Sequence, residues 1–121
     1  MSPLRRRAVL ALPLAVGFAP RRGRAHAVLV ASDPPQGGRV MAGRVEMVLR
    51  FNSRIDRARS RVDVMTAHGE RHALTIAPGG SEDTIRVVFI APAGANAVRW
   101  QVLASDGHIT RGEISFIADR P

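Results

Sequence analysis

Val45-Glu46-Met47-Val48-Leu49-Arg50-Phe51 is the stretch that decides the fold class. Val45, Met47, Leu49 and Phe51 recur at every second position, with Glu46, Val48 and Arg50 between them. Successive side chains of a strand point to opposite faces, so this is the period of a strand with one face buried. The pattern repeats outward from it. Towards the C-terminus, Val62 and Val64 alternate with Arg61 and Asp63, and Ile85, Val87 and Phe89 share one parity. Val98, Trp100 and Val102 share another, opposite Arg99 and Gln101, and Ile114 and Phe116 follow Gly112. Towards the N-terminus, the short apolar run Ala27 to Ser32 ends in Asp33-Pro34-Pro35-Gln36-Gly37-Gly38, a dense turn cluster. Pro78-Gly79-Gly80 closes the run Leu74 to Ala77, and Pro92-Ala93-Gly94 marks another turn. No stretch holds a helical period for three turns. Six to eight short strands at this spacing predict an all-β antiparallel sandwich. Trp100 reads as a core plug between the sheets. Residues 52–60, where Ile55 is the one large apolar side chain, read as a loop or a short irregular crossing.

Residues 1–25 read as a cleavable export signal. Arg5-Arg6-Arg7 is a cationic start, and Ala8 to Ala19 is an apolar run interrupted by Pro13. That run is shorter than the roughly 20 residues a membrane span needs, and a small-residue cleavage site follows it. Arg6-Arg7-Ala8-Val9-Leu10 also resembles a twin-arginine export pattern. Two cuts compete. One follows Gly23-Arg24-Ala25 and leaves His26 first; the other follows Ala25-His26-Ala27 and leaves Val28 first. A periplasmic domain of residues 26–121 is the expectation.

The leader also accounts for the charge. The chain carries 18 basic and 10 acidic residues, a net of +8. Six of the basic residues and none of the acidic ones lie in 1–25, which leaves 12 against 10, or +2. The scattered arginines are not interleaved with aromatics, so neither a nucleic-acid footprint nor a base-stacking platform is predicted. There is no cysteine. That excludes disulfide staples, thiolate metal sites and thiol catalysis.

A cut after Ala25 gives His26 a special chemistry. An N-terminal histidine offers a metal both its α-amine and its imidazole. Far along the chain, Asp106-Gly107-His108 supplies a carboxylate and a second imidazole. Three nitrogens and one oxygen suit the tetragonal preference of Cu(II), which heads the divalent affinity order. Zn(II) is the alternative, because His and carboxylate serve it too. The plainer reading of Ser105-Asp106-Gly107 is a turn in which Asp106 caps its own backbone. Met65, His68 and His72 lie mid-chain. A soft Cu(I) ion wants several thioethers, so solvated loop histidines are the reading preferred to a second site.

These residues resemble the CopC copper-resistance family. His26-Ala27-Val28-Leu29-Val30-Ala31-Ser32-Asp33-Pro34 is similar to its mature start. Val45 to Phe51 resembles its next long strand. Val98-Arg99-Trp100-Gln101-Val102-Leu103-Ala104-Ser105-Asp106-Gly107-His108 resembles its signature, and Gly112-Glu113-Ile114-Ser115-Phe116 the segment after it. The resemblance implies an exported, Ig-like Greek-key β-sandwich of about seven strands. It also implies a Cu(II) carrier with His26, Asp106 and His108 at the ligand positions, and a membrane partner of the CopD type. Two departures stand out: Ile109 replaces the usual Pro, and Asn52-Ser53 stands where some relatives have a carboxylate.

Three function classes compete: a non-catalytic copper carrier, a histidine-brace copper oxygenase, and a metal-free Ig-like interaction module. The oxygenase lacks an evident substrate platform, because Phe51, Phe89, Trp100 and Phe116, the aromatics beyond the leader, sit at core parities. No serine stands in a Gly-flanked elbow of the hydrolase kind. The module is favoured if the mature chain begins at Val28. Intact mass of the exported protein separates these readings. A first residue of His26 is expected, whereas a first residue of Val28 removes the brace.

Overall fold

The computed structural model describes residues 27–121. They form eight strands: β1 (Leu29–Asp33), β2 (Gly38–Met41), β3 (Gly43–Phe51), β4 (Ile55–Met65), β5 (Arg71–Leu74), β6 (Thr84–Ala91), β7 (Gly94–Ala104) and β8 (Ile109–Asp119). Two sheets face each other, one ordered β1-β3-β6 and the other β2-β8-β7-β4-β5. The sandwich is the one the alternation predicts: Val45, Met47, Leu49 and Phe51 are buried from one sheet, and Val62, Val64, Val98, Trp100 and Val102 from the other. No helix among the described residues is long and apolar enough to cross a membrane.

Two details differ from expectation. The eighth strand is β2, and it pairs parallel to β8 with Gly38 opposite Phe116. No apolar alternation marks it, because it lies at the sheet edge. It is held by its ladder and by the Arg39 fork on Asp119, with nitrogen–oxygen distances of 3.1 and 2.6 Å. Hydrogen bonding from Arg39 lowers the Asp119 pKa. The contribution of this exposed pair is therefore present above the ordinary carboxylate range and fades as pH falls through the lowered value.

The second difference is residues 55–60, which belong to β4 rather than to a loop. Ile55 is buried and pairs with Ala104, and the register then shifts between Asp56 and Arg61. Polar side chains replace the ladder partners lost in that irregularity. Ser60 Oγ donates to the Asp56 carbonyl at 2.7 Å and accepts the Leu103 N–H at 3.0 Å. The Arg57 guanidinium reaches across to the carbonyls of Ser81 and Thr84. A polar strand of this kind has no periodic apolar signal, so sequence alone reads it as irregular.

Trp100 is the expected core plug, 8% exposed. Its ring meets Phe51 edge-on across the two sheets, with centroids 5.2 Å apart and planes at 82°. Gly112 lies opposite Trp100 in the β7–β8 ladder. A Cβ at Gly112 would stand 2.1 Å from Trp100 Cζ2, so the glycine is required by the ring that occupies its side-chain space. Gly112→Ala is expected to destabilise the domain by roughly 1–3 kcal/mol or more, the usual range for overpacking a core. Thermal unfolding checks it, at about 4–8 °C per kcal/mol for a domain of this size. An unchanged midpoint would show that Trp100 has room to move.

Candidate metal centre

β7 and β8 are joined by the turn Ser105-Asp106-Gly107-His108. The Gly107 N–H donates to the Ala104 carbonyl at 2.9 Å, and the Ala104 N–H to the His108 carbonyl at 2.8 Å. These bonds close the hairpin beyond its last pair, Leu103 opposite Ile109. Gly107 has φ of 92°, a conformation that strains any residue with a Cβ. Asp106 folds back on the turn, its Oδ1 accepting the His108 N–H at 3.0 Å and lying 3.3 Å from His108 Nδ1. The Ser105 N–H donates to the Arg54 carbonyl at 3.0 Å, which ties the turn to the start of β4. The backbone cap expected of Asp106 is therefore present. It does not exclude a metal role, because a carboxylate has two oxygens and about four acceptor directions. The turn presents a nitrogen donor and an oxygen donor side by side, their side chains 51% and 38% exposed.

The other half of the expected site begins at His26, which lies outside the described residues. Its neighbour Ala27 is fixed. Ala27 is 1% exposed, and its carbonyl accepts the Thr110 hydroxyl at 2.9 Å. The next residue is clamped in both directions: the Val28 N–H donates to Asn52 Oδ1 at 2.8 Å, and the Asn52 N–H donates to the Val28 carbonyl at 3.0 Å. Leu29 then enters the ladder opposite Phe51. Thr110 stands two residues beyond His108 on β8, so the path into β1 runs beside the 105–108 turn although the two are far apart in sequence. The Thr110–Ala27 bond also crosses from one sheet to the other.

Asn52 and Thr110 are the residues that sequence reasoning missed. Asn52 registers there only as the lack of a carboxylate, and Thr110 does not register at all. Their partners lie 24 and 83 positions away, so no local pattern betrays them.

Met65, His68 and His72 are not gathered into a site. His72 opposes Val64, and Met65 opposes Arg71. Cross-strand partners share a face and neighbours in a strand do not, so Met65 and His72 leave the sheet on opposite sides. His72 Nε2 lies 3.4 Å from Glu70 Oε1, with its side chain 56% exposed. Among the described residues no group of three or more His, Cys, Asp or Glu is placed to hold a metal.

The dual use of Asp106 can be separated by substitution. Asp106→Asn keeps an oxygen for the His108 N–H, whereas Asp106→Ala removes it. Hydrogen exchange at the His108 amide is expected to stay slow in the first variant and to quicken in the second. Equal exchange in both would show that the side-chain cap does not hold the turn.

Comparison with known proteins agrees with this architecture. A family model described as the CopC domain matches residues 29–119. CopC from Methylosinus trichosporium has a similar structure, with a TM-score of 0.64 and 27% identity over 78% of this chain and 95% of that one. PcoC, a methionine-rich copper resistance protein from Escherichia coli, superposes with a TM-score of 0.66 over 78% of this chain and all of that one. At 22% identity, PcoC shares the fold. No curated protein matches the chain by sequence.

Proposed function

This chain belongs to the CopC family, and from that membership and the geometry above we propose that it is an exported, periplasmic copper-binding protein. Its residues 1–25 are removed, and His26, Asp106 and His108 hold one Cu(II). The observation that carries this reading is the Thr110–Ala27 hydrogen bond, 2.9 Å, which seats the residue after His26 beside the strand that leaves the Asp106–His108 turn. Ala27 is thereby held to Thr110, two positions beyond His108 in the chain.

The donor chemistry suits the ion. The α-amine and imidazole of His26 close one chelate ring, the His108 imidazole adds a third nitrogen, and Asp106 adds a hard oxygen. This N/O set favours Cu(II) over Cu(I), which prefers thioethers. Zn(II) accepts the same donors and is the competitor to test. The hard donor set and the burial of Phe51, Phe89, Trp100 and Phe116 in the core support a carrier rather than an enzyme. Its role is in copper trafficking, resistance or homeostasis, passing copper to or from an extracytoplasmic partner such as a CopD-type membrane protein.

Copper titration of the exported protein is expected to show one Cu(II) per chain. His108→Ala should weaken binding strongly and Asp106→Ala less, because a carboxylate oxygen is more easily replaced by water. His68→Ala and His72→Ala should leave affinity nearly unchanged. A loss at His68 or His72 equal to that at His108 would put the site in the wrong place. Amine and imidazole donors shed protons before binding metal, so apparent affinity should fall as pH drops below neutrality.

A metal held between donors from both sheets should also stabilise the fold. At free Cu(II) about 100 times Kd, the gain for a one-site ligand is about 2.7 kcal/mol. A copper-dependent rise in the unfolding midpoint, lost in His108→Ala, checks this. Sustained ascorbate-driven substrate oxidation above that of free copper, abolished by His108→Ala, would instead make the protein an oxidative enzyme.

A further inference from the structure

The N-terminal arm is seated by two polar side chains that are not among the proposed copper ligands. Ala27 and Val28 precede β1, so no ladder partner holds them. Asn52 and Thr110 take that place. Asn52 sits just past the end of β3 and bonds Val28 twice, once through Oδ1 to its N–H and once through its own N–H to its carbonyl. Thr110 reaches from β8 in the other sheet and donates to the Ala27 carbonyl. Two adjacent residues are thus gripped from both sheets, although Val28 itself is 53% exposed and has little apolar burial to hold it.

We infer that Asn52 and Thr110 are positioning residues for the copper site. By fixing Ala27 and Val28 they set where the preceding residue presents its amine and imidazole to Asp106 and His108. This rests on the copper reading above and assigns it two further residues, neither of which contacts the metal. The physical gain is preorganisation. An unanchored terminal residue loses backbone freedom worth about 1–2 kcal/mol per residue when it is fixed at a metal. An arm already fixed by the fold does not carry that cost at the moment of binding. Removing such supporting hydrogen bonds typically weakens metal affinity by about 10- to 100-fold.

The two side chains allow a clean test, because each has a substitute that keeps the bond. Asn52→Ala removes the Oδ1 acceptor, and Asn52→Asp keeps an oxygen there. Thr110→Val removes the hydroxyl at nearly constant shape, and Thr110→Ser restores it. The exported protein starting at His26 is titrated with Cu(II) against a chromophoric chelator, and its copper electron paramagnetic resonance spectrum is recorded. Hydrogen exchange at the Val28 and Leu29 amides is measured without copper.

Asn52→Ala and Thr110→Val are expected to lower affinity about 10-fold or more, to broaden or shift the copper spectrum, and to quicken exchange at those amides. Asn52→Asp and Thr110→Ser should return affinity to within about threefold of the parent and restore its spectrum. Parent-like affinity and spectrum in both Asn52→Ala and Thr110→Val would overturn the positioning role while leaving the copper reading intact. Losses that the conservative variants do not rescue would likewise overturn it, as general damage to the domain. A parent protein that binds no Cu(II) would overturn the copper reading, and the positioning role with it.

Discussion

The edge-on contact between Phe51 and Trp100 is the constraint on which the rest of the molecule depends. With no cysteine, the two sheets have no covalent staple, and apolar packing must hold them. Phe51 comes from the three-stranded sheet and Trp100 from the five-stranded one, so their contact joins the two. Aromatic pairs in this geometry add about 0.5–1.5 kcal/mol beyond their area burial. The contact also dictates composition on β8. The Trp100 ring lies where a side chain at position 112 would stand, so only glycine fits.

The same contact fixes the end of the sandwich where the candidate site lies. Phe51 is the last residue of β3, and Asn52 follows it directly. Holding Phe51 in the core therefore holds Asn52 at the rim, where it clamps Val28. On the opposite sheet, β7 runs from Trp100 to Ala104 and into the Ser105–His108 turn. Both halves of the proposed copper site thus hang from one aromatic pair, one through Asn52 and the path into β1, the other through β7. A copper ion held there would bridge the two sheets at the point where they lack a covalent link.

Placed on the structure, the family signature acquires separate physical meanings. The tryptophan and the glycine four residues past His108 are a packing pair. The aspartate is a turn cap whose carboxylate faces the histidine it positions. The glycine between them supplies a left-handed backbone conformation. His108 closes the same turn, its carbonyl accepting the Ala104 N–H and its Nδ1 lying 3.3 Å from Asp106 Oδ1.

Alternation by itself determined the sandwich. The residues of 45–51, 85–90 and 98–102 that share a parity are the ones buried, because a strand's side chains divide between two faces. The Asp-Gly-His turn was also legible, since it is a local pattern. The chain beyond local patterns was not. Residues 55–60 form a strand through side-chain bonds of Ser60 and Arg57 to distant backbone groups, and β2 forms by borrowing the edge of β8. Asn52 and Thr110 gain their roles only when residues 24 and 83 positions away are brought beside them. A sequence specifies which side chains can bond; only the packing of two sheets decides which backbone they meet.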